Sequence, residues 1–205
     1  KGDLSIAGFR INSFEQGDLK LAVKGENSYE KYAVNLTLKN QGSESIFADG
    51  QIDFSKKRPT LENFVVKLDD FKLNAFSPLG QDILTRVRGK ASGSFNVSGF
   101  LRNPNMDGEL TLENAGLKFP YLNVDYDFEG ESIISLSQQS FIIESVNLLD
   151  TKHNTRGKLL GEIAHQNFEQ WFLNIQINTD NLLVLDTKDS EEALYFGSAF
   201  IDGSA

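Results

Sequence analysis

The chain has 205 residues, of which 40% are apolar and 24% charged; this composition excludes a disordered segment and suffices for one large β domain, with two small domains as the alternative. Its 29 acidic and 20 basic side chains give a net charge of -9, which excludes a broad basic surface for nucleic acid. The absence of cysteine excludes disulfides and thiolate zinc sites, and sixteen phenylalanines favour β-strands.

A short pattern repeats from the first residues onward: a glycine followed by two apolar residues at alternate positions. It occurs at residues 2–6, 17–21, 50–54, 93–97 and 108–112, and more loosely at 157–163. Because side chains on an extended strand point alternately to opposite faces, each copy places its apolar residues on one side. The repeat therefore predicts a sheet with one apolar face.

In the first half, alternation of apolar and polar residues predicts strands around residues 19–23, 34–38, 64–68 and 71–73. Turn residues at 25–28, 40–43 and 56–59 predict sequential antiparallel hairpins. Ser77 followed by Pro78 predicts a short helix over residues 78–86. In the strand that follows, Gly89, Ala91 and Gly93 share one face, which predicts a bend or a close approach there.

In the second half, alternation continues from Val124 to Ile177, with turns every 8 to 15 residues or so. That spacing suits an open sheet, a sandwich or a barrel. Trp171 is in phase with Leu173 and Ile175, so we expect it to be buried with them. The acidic run at residues 186–192 predicts a solvated surface loop.

The chain carries no recognisable catalytic constellation. His153 and His165 have no acid at a recognisable spacing, and adjacent acid pairs such as Asp69 and Asp70 are poor candidates for acid and base catalysis. Neither a nucleophile elbow nor a phosphate-binding or calcium-binding loop can be traced. We therefore expect no enzyme activity, no metal and no cofactor.

The sequence contains no run of about 20 apolar residues that could span a membrane, and its first residues lack the hydrophobic region of a signal peptide. The sequence begins within a predicted strand and ends where a turn is expected. We therefore expect the chain to be a fragment of a longer protein, forming one elongated β segment over residues 1–205.

Residues 97–120 contain a predicted strand followed by Gly99, a turn with asparagine and Pro104, then Gly108, a second predicted strand and, further on, Pro120. This pattern resembles the TamB family of bacterial envelope proteins, relatives of the AsmA-like proteins. The resemblance is clearest over residues 77–205, whereas residues 1–76 share only the generic strand rhythm. Gly99, Pro104 and Gly108 are expected to form the turn.

The resemblance implies an all-β fold in which a curved, mainly antiparallel sheet forms a taco-like hydrophobic groove. It further implies a place in the periplasm of a diderm bacterium, with an inner-membrane anchor helix outside this chain. Partners implied by the family are phospholipid acyl chains and, through the full-length protein, an outer-membrane barrel of the TamA or BamA type. The expected role is to hold or conduct phospholipid between the two membranes.

The candidate groove-lining residues are apolar members of the predicted strands. They are Leu19, Leu21, Val34, Leu36, Leu38, Ile52, Phe54, Val66, Leu68, Phe95, Val97, Leu110, Leu112, Val124, Tyr126, Phe128, Ile134, Leu136, Phe141, Ile143, Leu159, Ile163, Leu173, Ile175 and Ile177. An open apolar face of this kind is costly in water, and bound acyl chains would remove that cost.

Three alternatives stay open at the level of sequence. The same alternation could fill the core of an ordinary sandwich. The chain could also be a chaperone-like module that offers strand edges to barrel proteins during assembly or secretion. A sugar-binding surface protein is the third, with an exposed aromatic such as Trp171 stacking on the sugar.

Overall fold

A computed structural model describes residues 1–11, 13–26, 29–75, 85–167, 170–188 and 196–204. These residues form one antiparallel sheet of thirteen strands. The strands are β1 Gly2–Ile11, β2 Phe14–Gly25, β3 Lys31–Asn40, β4 Ser43–Asp53, β5 Thr60–Lys72, β6 Thr85–Phe100, β7 Asn103–Phe119, β8 Val124–Glu129, β9 Ser132–Gln138, β10 Ser140–Asp150, β11 Arg156–Gln166, β12 Gln170–Thr187 and β13 Gly197–Ser204. The predicted all-β, antiparallel fold is confirmed.

The sheet is an up-and-down meander in which each strand pairs with its neighbours along the chain. β8 and β9 lie end to end between β7 and β10, and so act as one interrupted strand. The tight turn between β3 and β4 has positive φ at both Gln41 and Gly42, the geometry that a two-residue hairpin requires. β1 and β13 form the two ends of the sheet order.

The repeating glycine pattern lies on one face of this sheet, as predicted. Paired residues on neighbouring strands point to the same side, so the strand registers connect the pattern into rows across the sheet. One row consists of Ile6, Leu19, Leu38, Ile46, Leu68, Gly93, Leu110, Ile134, Ile143, Gly161 and Ile175. All its members are apolar or glycine.

β6 and β7 approach each other too closely for side chains at two of the repeat glycines. A Cβ at Gly93 would lie 2.3 Å from the carbonyl oxygen of Glu109, and one at Gly108 would lie 2.4 Å from that of Ser94. Both glycines also have positive φ, which other residues rarely adopt. The close approach predicted around Gly93 is confirmed.

The predicted helix at 78–86 is contradicted at its end. Thr85 begins β6, and Arg86 lies within that strand, while residues 78–84 lie outside the described residues. The only helical feature in the described ranges is a 3₁₀ turn at residues 73–75.

Pro104 does not form the turn predicted between Gly99 and Gly108. The turn is at Leu101 and Arg102, and Pro104 is the second residue of β7, paired with Gly99. Near the start of a strand, proline is tolerated although it cannot donate a hydrogen bond. Gly108 lies well inside β7, opposite Phe95.

Two other predictions are wrong. Trp171 is 40% exposed, because it lies in the part of β12 that β13 does not cover. Its ring stacks on Phe141, with the centroids 6.4 Å apart. Asp186 is buried rather than solvated, because it lies within β12 and accepts hydrogen bonds from Lys152 and Ser198. Residues 189–192 of that predicted loop lie outside the described residues.

Candidate functional site: an apolar sheet face

The apolar face of the sheet is the strongest candidate for a functional surface. A second row of paired residues runs parallel to the first, two positions along each strand. Its members are Leu4, Leu21, Leu36, Ala48, Val66, Phe95, Gly108, Leu136, Phe141, Ile163 and Leu173. We use "apolar face" for the side of the sheet that carries these two rows.

The opposite face differs sharply in chemistry. The row between the two apolar rows points the other way and consists of Ser5, Lys20, Thr37, Phe47, Lys67, Ser94, Glu109, Ser135, Ile142, Glu162 and Asn174. Phe47 and Ile142 are the two apolar exceptions in it. A sheet with one wet and one apolar side normally buries the apolar side against a second layer.

Strands β1–β6, which we call the open section, lack such a layer among the described residues. Leu21, Leu36 and Val66 there are each only half-buried. Phe71 and Ala75 pack with the buried Leu38, and Leu19, Ile46 and Leu68 pack against them, so the first row is partly covered in β2–β5. The second row lies outside this cluster and, apart from the buried Ala48, presents a half-buried apolar surface in β2–β6.

Strands β7–β13, which we call the closed section, curl until non-neighbouring strands meet. β12 lies three places from β8 in the sheet order, yet the hydroxyl of Tyr126 on β8 donates to the carbonyl of Leu183 on β12 at 2.6 Å. Beside this bond, the Asp186 amide donates to the Leu122 carbonyl at 2.9 Å. At the other end of the strands, the Asn167 amide donates to Asn103 Oδ1 at 3.3 Å.

The curl encloses a packed core on the apolar face of the closed section. Its buried members are Val124, Tyr126, Ile134, Ile143, Val146, Leu148, Leu182 and Leu183. Leu182 and Leu183 are fully buried, so β12 folds its apolar residues inward over β8. This part of the apolar face is therefore filled by the protein's own side chains.

The hydroxyl of Tyr126 is the polar tie within this core. Burial, followed by the negative charge of Asp150, raises the pKa of Tyr126 well above its ordinary value. The phenol therefore keeps its proton and remains a donor to the Leu183 carbonyl. Asp150 itself is fully buried and accepts the backbone amides of Lys152 and His153, so the turn after β10 is fixed by the same cluster.

The predicted lining residues divide between the two sections. In the open section, the half-buried ones are Leu19, Leu21, Val34, Leu36, Ile52, Val66, Leu68, Phe95 and Val97. Leu38 is buried, and Phe54 lies just beyond β4, 46% exposed and in edge contact with Tyr32. Most of this group thus shares one accessible surface.

In the closed section, the prediction of an open groove fails for the buried members. Val124, Tyr126, Ile134, Leu136 and Ile143 are each less than 10% exposed, and most belong to the packed core. Half-buried members are Leu110, Leu112, Phe128, Phe141, Leu159, Ile163, Ile175 and Ile177, and Leu173 is 66% exposed. The buried members are inaccessible because β12 curls over β8 and covers this part of the apolar face.

Sequence reasoning missed three features of the structure. Leu182 and Leu183 are adjacent, so they break the alternation that marks a two-faced strand, although the apolar run from Leu182 to Leu185 is visible. Ile46 and Ala48 on β4 belong to the apolar rows and follow the same alternation as the neighbours that were predicted. A basic cleft at the strand ends, described below, was also missed.

The described residues contain no group of three or more His, Asp or Glu side chains placed to hold a metal ion. None of the described residues forms a helix long and apolar enough to cross a membrane. Comparisons with protein-family models, curated proteins and solved structures found no match. The resemblance to the TamB family therefore remains a prediction based on the motif in residues 97–120.

Proposed function

We propose that the chain holds phospholipid acyl chains on the apolar face of its open section. In this proposal it is one section of a TamB-like periplasmic bridge that carries lipid between the inner and outer membranes and supports outer-membrane biogenesis. The observation that supports the proposal most strongly is the second apolar row, in which Leu21, Leu36, Val66 and Phe95 are half-buried and lie outside the packed cluster around Leu38.

The dimensions of the open section suit an acyl chain. Six strands at a spacing of about 4.8 Å make a surface roughly 24 Å across. One leaflet of a bilayer is about 15 Å thick in its hydrocarbon part, so a tail fits within that width. Each methylene removed from water contributes about 0.8 kcal/mol, and no polar site is needed for such binding. The contact is continuous, so a tail could slide along it.

Site-specific photocrosslinking tests the proposal with matched positions. A photoreactive residue at Leu36 or Val66 should crosslink to phospholipid, because both side chains belong to the apolar face. The same residue at Lys20 or Lys67 should not, because these side chains belong to the opposite row. Equal lipid crosslinking from both faces would contradict the proposal.

One observation favours a second candidate, the chaperone-like module that binds strands by their edges. In the described part of β12, residues 172–177 pair with β11 on one side, and β13 pairs only from Asn178 onward. Phe172 and Leu173 there are each more than 60% exposed. An uncovered apolar edge can accept an added strand. Crosslinks from this edge to unfolded barrel segments, without lipid crosslinks from Leu36, would favour this function.

A further inference from the structure

Three connections meet at one end of the strands and form a cleft of about 1100 Å³. They are the β4–β5 connection, the β6–β7 turn and the start of the β11–β12 turn. The Leu101 amide donates to the carbonyl of Pro59 at 2.9 Å, and the Asn167 amide donates to Asn103 Oδ1 at 3.3 Å. These two bonds join all three connections, so the cleft is a built feature rather than a gap between loose loops.

The cleft is basic in a chain that is acidic as a whole. Its described lining includes Lys57, Arg58 and Arg102, together with the amide side chains of Asn103, Gln166 and Asn167, and no carboxylate. The net charge of the chain is -9. Three cations gathered in one concave place make a local positive potential against that background.

The three cations have no acidic partner among the described residues. Within the described ranges, eight other lysine and arginine side chains form ion pairs, whereas Lys57, Arg58 and Arg102 form none. Arg58 instead lies over the ring of Phe100, 5.6 Å from its centroid. This contact holds the guanidinium in place while leaving its N–H donors available to a ligand.

The cleft lies at the strand ends, beyond the last residue pair of the apolar face. Phe100 and Leu101 in its wall are 46% and 40% exposed, so the wall is partly apolar, although Phe100 follows Gly99 and by alternation points away from the apolar face. The residues next to the cleft on β6 and β7 are Gly99 and Pro104, which pair with each other and continue the register of Leu61 in the open section. An amphiphile could therefore place a charged group in the cleft and an apolar tail on the face beside it.

We propose that this cleft binds the phosphate of a phospholipid headgroup. The inference rests on the proposed function, because the acyl chains of the same lipid are taken to lie on the open section. Arginine binds phosphate oxygens through paired N–H donors, and lysine adds a point charge. The cleft thus gives a lipid a fixed orientation, with its phosphate at the strand ends where residues 57–59 and 100–103 meet.

Two amphiphiles that differ in the phosphate test the proposal on the whole chain. Lysophosphatidylglycerol carries one acyl chain and a phosphodiester, and monoacylglycerol with the same chain carries none. The triple variant Lys57→Gln, Arg58→Gln, Arg102→Gln should bind lysophosphatidylglycerol about tenfold to a hundredfold more weakly than the wild type, given the usual attraction of each cation for anionic lipid. Its affinity for monoacylglycerol should stay unchanged, as measured by titration calorimetry.

A matched variant removes the same charge elsewhere. Lys20→Gln, Lys67→Gln, Lys158→Gln loses three exposed lysines that do not line the cleft, and it should bind both amphiphiles like the wild type. Equal weakening in both triple variants would overturn the headgroup site in favour of diffuse attraction, and no weakening in the cleft variant would also overturn it. Displacement of lysophosphatidylglycerol by millimolar inorganic phosphate would assign the cleft to free phosphate and overturn the lipid assignment.

The two proposals fail in different ways. If the wild type binds lysophosphatidylglycerol but not monoacylglycerol, the acyl-chain proposal is wrong and the headgroup site stands. If it binds both equally, the acyl-chain proposal stands and the headgroup site is wrong. If it binds neither, both are wrong. Circular dichroism of each variant confirms that the sheet is retained.

Discussion

The open and closed sections share one sheet, one strand pattern and one apolar face, yet that face is accessible in the open section and packed in the closed one. In the open section, Leu36 and Val66 are half-buried, and no second layer among the described residues covers them. In the closed section, Leu148 and Leu183 are almost fully buried because β12 folds over β8. The same alternation can therefore make either an accessible surface or a packed core, depending on whether a distant strand returns to cover it.

The closed section contains a buried hydrogen bond between strands three places apart, whereas the bond from Lys31 on β3 to Glu62 on β5 in the open section joins strands two places apart and is only partly buried. The bond from Tyr126 to Leu183 joins residues 57 positions apart in sequence. We infer that the closed section provides the stability of the sheet, whereas the open section keeps its apolar surface available for ligand.

The largest difference is expected for truncation of leucine. Leu183→Ala should lower the free energy of unfolding by about 3 to 5 kcal/mol, because it leaves a cavity in a closed core. Leu36→Ala, which removes the same atoms from a half-buried position, should cost about 1 kcal/mol. Urea denaturation of the two variants measures both values, and similar losses would show that the two sections are packed alike.

A smaller difference is expected when a tyrosine hydroxyl is removed. Tyr126→Phe should lower the free energy of unfolding by about 1 to 2 kcal/mol, because the buried carbonyl of Leu183 loses its 2.6 Å donor. Tyr32→Phe is the matched change in the open section. The Tyr32 hydroxyl also donates to a carbonyl, that of Tyr29 at 3.0 Å, but at an exposed site where water replaces it. If Tyr32→Phe lowers the free energy of unfolding as much as Tyr126→Phe does, the expected difference between the two sections is wrong.

Features that depend on residues close together in the sequence could be predicted, whereas features that depend on contacts between distant strands could not. Alternation and glycine spacing predicted the strands and the apolar face, because both are local properties of an extended chain. The burial of the core by Leu182 and Leu183 was not predicted, because it requires β12 to fold back over β8, which lies three places away in the sheet order. The basic cleft was missed for the same reason: Arg58 and Arg102 are far apart in sequence and meet only through the turns.

The smallest effect concerns pH, and it should belong to the closed section alone because both histidines lie there. Burial lowers the pKa of His165 below its ordinary value near 6.5. The unfolded chain therefore binds a proton at a higher pH than the folded chain does, so the free energy of unfolding falls as pH drops below about 6.5.

His165→Gln should reduce this dependence of stability on pH between 7.5 and 5.5, whereas His153→Gln, which removes an exposed histidine, should retain it. The fluorescence of the single tryptophan, Trp171, reports the transition, since its ring lies 5.4 Å from that of His165. An unchanged pH dependence in His165→Gln would show that other groups cause it.

Native mass spectrometry of the gently purified chain tests most directly whether the open section carries lipid. The wild type should retain bound phospholipid, and the double variant Leu36→Asp with Val66→Asp should lose it. The double variant Lys20→Asp with Lys67→Asp should keep the lipid, because both lysines belong to the row on the opposite face. A lipid-free wild type, or equal lipid retention in both double variants, would contradict the account.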